Sequence, residues 1–215
     1  MRKYFLIIGF HLFYFGLFAQ INVDSVELYL FELMNEERVR CGIPKRYRSN
    51  YCKKAAELHT AYIKKYTISE GHDESRITVG NKVLEKPMDR YNYFNRDSFK
   101  ICVNDYCYYK KIFNYESEVA GWKAFIGLAV PDLKRKDINK FFAKTIFDGF
   151  MNSEPHKKRL LEKFNDYISR GYFIFDYRLN SSDNLEIFCV GVFDRTTQNL
   201  DYHKSVYKSD YNKLY

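Results

Sequence analysis

ISRGYFIFDYRL (Ile168–Leu179), NSSD (Asn180–Asp183) and NLEIFCVGVFDR (Asn184–Arg195) decide how the chain folds. The two outer stretches are dense in aromatic and β-branched residues, which suit a pleated and partly buried surface. NSSD between them has hairpin-turn chemistry, because Asn, Ser and Asp side chains bond their own backbone. The spacing predicts two strands that close the domain. Such a sheet must bury its apolar faces against other elements, and the remaining chain supplies helices for that.

NVDSVELYLFELMNEERVRCGIP (Asn22–Pro44) reads as the first helix. Asp24 or Ser25 can cap it, Val26, Leu30, Leu33 and Met34 recur at helical spacing, and Gly42 and Pro44 stop it. Ser49–Tyr66 reads as a second helix with an inner stripe of Cys52, Ala55, Ala56, His59 and Tyr62. Residues 67–117 lack a clear period, apart from an expected β-hairpin within DSFKICVNDYCYYKKIF (Asp97–Phe113). Asp137 can cap a third helix, Ile138–Asn152, whose stripe is Phe141, Phe142, Thr145, Ile146 and Phe150. The order is therefore two helices, a variable middle, a helix and a terminal hairpin.

The chain has 215 residues, 46% of them hydrophobic and 19% aromatic, which fits one globular domain and excludes intrinsic disorder. Its net charge is +8, but no Lys/Arg cluster comes with a nucleic-acid-reading motif, so no nucleic-acid partner is expected. The N-terminus has Arg2 and Lys3, an apolar run over Tyr4–Phe18, and a small Ala19. This pattern predicts a signal peptide over residues 1–19, a secreted or periplasmic product of net charge +6, and no transmembrane span after cleavage. A domain over 20–195 and a polar, tyrosine-rich tail over 196–215 complete the expected organisation. Cysteines 41, 52, 102, 107 and 189 would then meet an oxidising compartment. Cys102 and Cys107 flank the turn-like VNDY and are the expected disulfide pair; the odd count leaves a thiol over.

The motifs, taken in order, resemble the bacterial CAP superfamily, also called SCP domains, which includes cysteine-rich secretory, antigen-five and pathogenesis-related proteins. Leu33, Met34, Asn35, Arg38, Gly42 and Ile43 match its opening helix, and KKAAELHTAYI (Lys53–Ile63) its second. GHDE (Gly71–Glu74) resembles its Ser-His step, ESEVAGW (Glu116–Trp122) its Gly-Glu-Asn-Ile-Ala motif, and FMNSEPHKKRLL (Phe150–Leu161) the bacterial Trp-Met-Asn-Ser-Pro-Gly-His-Arg signature. ISRGYFIF and CVGVF are similar to its closing strands. The chain departs from the pattern at Phe150, Glu154, Pro155, Ser117, Val119 and Ser169.

The resemblance implies an α+β fold: a three-layer α-β-α sandwich, its antiparallel sheet carrying helices on both faces. It also implies a groove in which His72, Glu118 and His156 converge. Imidazoles with a carboxylate can move protons or hold a divalent metal, the latter as described for eukaryotic relatives. Bland roles stand beside these. His156 can end the third helix and offset its dipole, His72 can be a loop residue, Glu118 can accept backbone N–H bonds, and His59 can be a satisfied core histidine. Lys157, Lys158 and Arg159 read as a solvated turn or as a face for anionic envelope polymers. No G-x-S-x-G elbow, H-E-x-x-H helix or phosphate-cradling loop is present. The resemblance thus implies a secreted protein with a groove for an apolar, lipid-like or peptide-like ligand. A His/Glu-dependent or metal-assisted hydrolase acting on peptide or envelope material is the alternative.

Overall fold

A computed structural model describes residues 21–66, 78–95, 98–103, 106–111, 113–125, 135–164, 167–181 and 184–196. The expected signal segment, His72 and residues 197–215 lie outside them. Five helices are described: α1 (Val23–Arg40), α2 (Asn50–Tyr66), α3 (Pro87–Phe94), α4 (Arg135–Met151) and α5 (Glu154–Leu160). The strands are β1 (Tyr47–Arg48), β2 (Thr78–Val79), β3 (Lys82–Val83), β4 (Ser98–Val103), β5 (Tyr106–Lys111), β6 (Phe113–Phe125), β7 (Ser169–Leu179) and β8 (Leu185–Thr196).

β7 and β8 form the expected hairpin and build a four-stranded sheet in the order β1-β7-β8-β6. The three long strands are antiparallel, and the two-residue β1 adds a parallel edge. One face buries Val26, Leu30 and Met34 of α1 and Phe142 and Phe150 of α4 against Phe173, Phe175, Cys189 and Phe193. The other buries Cys52, Ala55 and Ala56 of α2 and Tyr91 of α3 against Ile174, Phe188, Val190 and Val192. This is an α+β fold with helices on both sheet faces. β4 and β5 pair separately, as expected, with Cys102 opposite Cys107.

Two glycines let the hairpin pack. Gly171 lies opposite Phe193 and Gly191 opposite Phe173. A Cβ on either glycine would run into the ring of its partner. Each ring therefore lies across a bare backbone on the neighbouring strand, an arrangement that a side chain at either glycine would block.

The structure corrects several local expectations. Asn22 caps α1, its Oδ1 accepting from Ser25 N at 2.9 Å, whereas Asp24 and Ser25 already lie inside the helix. Asp137 is not a cap, because α4 starts at Arg135. α4, the helix expected over Ile138–Asn152, ends at Met151, and α5 starts separately after a turn, with Pro155 in its first turn. A proline is accommodated there because that N–H has no intrahelical partner. His156 therefore opens a helix and does not end one. α3 was not expected; Lys86 N–H donates to the Asp89 carboxylate at 3.2 Å at its start.

The opening motif does structural work. Gly42, at φ +70°, donates to Val39 O and Ile43 donates to Arg38 O, which is a Schellman closure. Asn35 brackets the Arg46 backbone, donating to its carbonyl at 3.0 Å and accepting from its N–H at 2.8 Å. Arg38, 1% exposed, donates to Pro44 O at 2.9 Å, Leu160 O at 2.7 Å and Glu162 O at 3.1 Å. It thereby pins the end of α5 to α1.

Two outcomes are expected. Arg38→Ala strands three carbonyls and should lower stability in urea unfolding by roughly 3 kcal/mol; a loss under roughly 1 kcal/mol would contradict the clamp. Glu27, 5% exposed, accepts from Phe175 N–H at 3.2 Å, and burial pushes its carboxyl from 4.5 up to about 7. The folded chain thus holds this proton more tightly than the unfolded one. The contribution is complete below about 4.5 and disappears as pH rises through about 7. Unfolding of Glu27→Gln at pH 5 and pH 8 should show a smaller fall in stability than the unaltered chain; equal falls would contradict this.

Candidate functional site

β6 carries the candidate acid, and the phase of this strand decides which way it faces. The pairing of β6 with β8 shifts register between Tyr115 and Ser117. Beyond that bulge Val119 joins the α1/α4 core, and a Cβ on Gly121 would meet the Phe150 ring at 3.1 Å. Alternation then turns Glu118 to the α2/α3 face.

Glu118 is met there by two partners. His59 Nδ1 of α2 lies 2.7 Å from Oε1. Arg90 Nη2 of α3 donates to Oε1 at 3.0 Å and to Oε2 at 3.2 Å. The side chains of His59 and Arg90 are wholly buried and that of Glu118 is 1% exposed. Arg90 Nη1 donates to Glu85 O at 3.0 Å, tying in the segment before α3. His59 is therefore the core histidine that the α2 pattern suggests, and side chains from two helices hold Glu118. A carboxylate against Nδ1 fixes the tautomer that carries its proton there.

A second buried acid shares this face. Asp194, 0% exposed, accepts from Arg170 at 3.0 and 2.8 Å, Tyr91 Oη at 2.7 Å and Ser49 Oγ at 3.1 Å. Burial and the neighbouring Asp194 push the Tyr91 phenol far up, so it stays a donor. Arg90 and Tyr91 are thus adjacent α3 residues bound to two different strand carboxylates.

His156 stands on the opposite face. It is half-buried, with its ring edge-on to Phe150 at 5.3 Å between centroids. With Lys123, Thr145 and Ser153 it borders a cavity of about 290 Å³ between β6 and the α4–α5 corner. Gly121, Ile146, Phe150 and Ile187 give this cavity an apolar floor. Among the described residues no carboxylate lines it, and burial pushes the Cys189 thiol far up, which disfavours its thiolate. Lys157, Lys158 and Arg159 are exposed, but on α5 rather than in a turn.

The expected convergence of Glu118 with His156 is therefore overturned: the sheet lies between them. His72 lies outside the described residues. A divalent metal does not fit at Glu118, where a permanent guanidinium already takes both carboxylate oxygens. Among the described residues no group of three or more His, Cys, Asp or Glu could hold a metal ion. Arg90 was missed because it falls in the aperiodic middle of the chain. The usable signal was KPMDRYNYF (Lys86–Phe94), with Pro87 at a helix start and Asp89 in its first turn.

The two faces should respond differently to truncation. Glu118→Ala leaves a buried guanidinium without its counter-ion and should cost about 3–5 kcal/mol in chemical unfolding. His156→Ala, at a half-exposed position, should cost about 1 kcal/mol or less. The reverse ranking would contradict this placement.

No family model and no curated protein matches the chain. Among solved structures it is similar to an outer surface protein from Borrelia burgdorferi, at 13% identity and TM-score 0.45, over 80% of this chain and 95% of that one. It is also similar to an extracellular protein containing a SCP domain from Bacillus anthracis, at 14% identity and TM-score 0.44. That match covers 79% of this chain and 40% of the other. Among the described residues no helix is long and apolar enough to cross a membrane.

Proposed function

We propose that the chain is an exported CAP/SCP-type domain that binds an apolar or peptide-like ligand in the cavity beside His156. The cavity carries this reading. Its apolar floor suits a hydrocarbon or side-chain group, and its rim of Lys123, Thr145, Ser153 and His156 suits a polar or anionic end. At about 290 Å³ it is near the lower end of ligand pockets, which run from roughly 300 Å³ upward. The ordered motif series and the signal-like N-terminus support the family and export parts of the reading. Binding is favoured over hydrolysis because, among the described residues, the cavity lining is largely apolar and carries no carboxylate.

Gly149 gives a clean test. It lines the cavity, and a Cβ there meets nothing within 4 Å. Gly149→Leu should fill the space while improving local helix propensity. We expect the anionic, aromatic probe 1-anilinonaphthalene-8-sulfonate to gain fluorescence with the unaltered chain and to lose at least about tenfold in affinity with Gly149→Leu, at an unchanged or raised Tm. Equal probe affinity in both would remove the cavity from consideration.

A further inference from the structure

A second cavity, of about 340 Å³, lies at the other edge of the sheet. β1 pairs only with Arg170 and Gly171, so the later part of β7 has no strand on its outer edge, away from β8, among the described residues. The cavity wraps that edge, with Asp24 and Glu27 from α1, Glu57 and Thr60 from α2, and Asp176 from β7. Among the described residues Lys53 is the one cationic lining residue. Four carboxylates against one ammonium invert the sign of a chain whose net charge is +8.

Two of these charges are already engaged. Asp176 is paired with Lys64 at 2.8 and 2.7 Å, and the Lys53 ammonium lies 5.3 Å from the Tyr172 ring centroid. Glu27 gives one oxygen, Oε1, to Phe175 N–H. Thr60 is the independent observation. It is 2% exposed, and among the described residues its hydroxyl has no hydrogen-bond partner. It shares a helix face with Lys53 and Glu57, seven and three residues earlier, so its side chain points toward the cavity they line. A buried hydroxyl without a partner is uncommon in folded proteins and points to a bound polar group.

We propose that this cavity binds a primary ammonium group, with the Glu27 and Glu57 carboxylates accepting from it and Thr60 Oγ1 accepting at its base. An ammonium is a compact charge with three donors, which matches acceptors arriving from several directions. A planar guanidinium would prefer paired oxygens in one plane. The source is a small diamine or a lysine side chain of a partner.

The test is calorimetric titration of the purified chain at pH 8 and low salt, above the value of about 7 to which burial raises Glu27. The probes are 1,5-diaminopentane, Nα-acetyl-lysine amide and, as a neutral control, 1,5-pentanediol. At least one amine should saturate and the diol should not. Binding of the diamine alone identifies a free amine as the ligand class, and binding of the lysine amide alone identifies a partner's side chain. Glu57→Gln, at an exposed position, should weaken the amine roughly tenfold, and Thr60→Val roughly fivefold, while Thr60→Ser should restore it. Saturation by neither amine, equal binding of the diol, or unchanged affinity in both weakened variants would overturn the proposal.

Discussion

Burying a carboxylate in the middle of a strand is costly unless it is paired and hydrogen-bonded, and the α2/α3 layer depends on how Glu118 meets that requirement. Arg90 and His59 reach it from two different helices, so satisfying one charge fixes both helices against β6. α3 has eight residues, too few to be stable as an isolated helix. It is held by its two buried polar residues, Arg90 on Glu118 and Tyr91 on Asp194. The sheet consequently acts as a wall, with buried, paired carboxylates on one side and, among the described residues, a cavity without a lining carboxylate on the other.

The resemblance to CAP/SCP domains is carried mostly by residues that hold the chain together. Asn35 brackets a backbone, Arg38 ties α1 to the end of α5, and Gly42 closes the first helix. Glu118, at the position where the resemblance implies a groove acid, serves as an anchor for two helices. Motifs of this kind report on architecture, and they leave the chemistry of a groove to whatever lines it.

Long periodic elements were legible in the sequence. α1, α2 and the β7–β8 hairpin appear where the periodicity places them, because burial of one stripe or one face dominates their stability. α3 was not legible. Its eight residues carry no full apolar period, and its stability comes from partners far away in sequence. The break between α4 and α5 was missed for a related reason: Pro155 both stops and starts helices, and sequence alone does not say which. For the site, His59, Glu118 and His156 were all noticed as residues. What the sequence could not show was the phase of β6. One bulge near Tyr115 sets which face each later residue occupies, and a shift of one residue exchanges the faces.

The central claim is that Glu118 belongs to a structural cluster with Arg90 and is separated by the sheet from His156. A double-mutant cycle in chemical unfolding tests this most directly, using Glu118→Gln combined with Arg90→Met and, separately, with His156→Ala. The account expects a coupling of roughly 1–3 kcal/mol for Glu118 with Arg90, and additivity within roughly 0.5 kcal/mol for Glu118 with His156. Additive effects for the first pair, or a coupling above roughly 1 kcal/mol for the second, would contradict it.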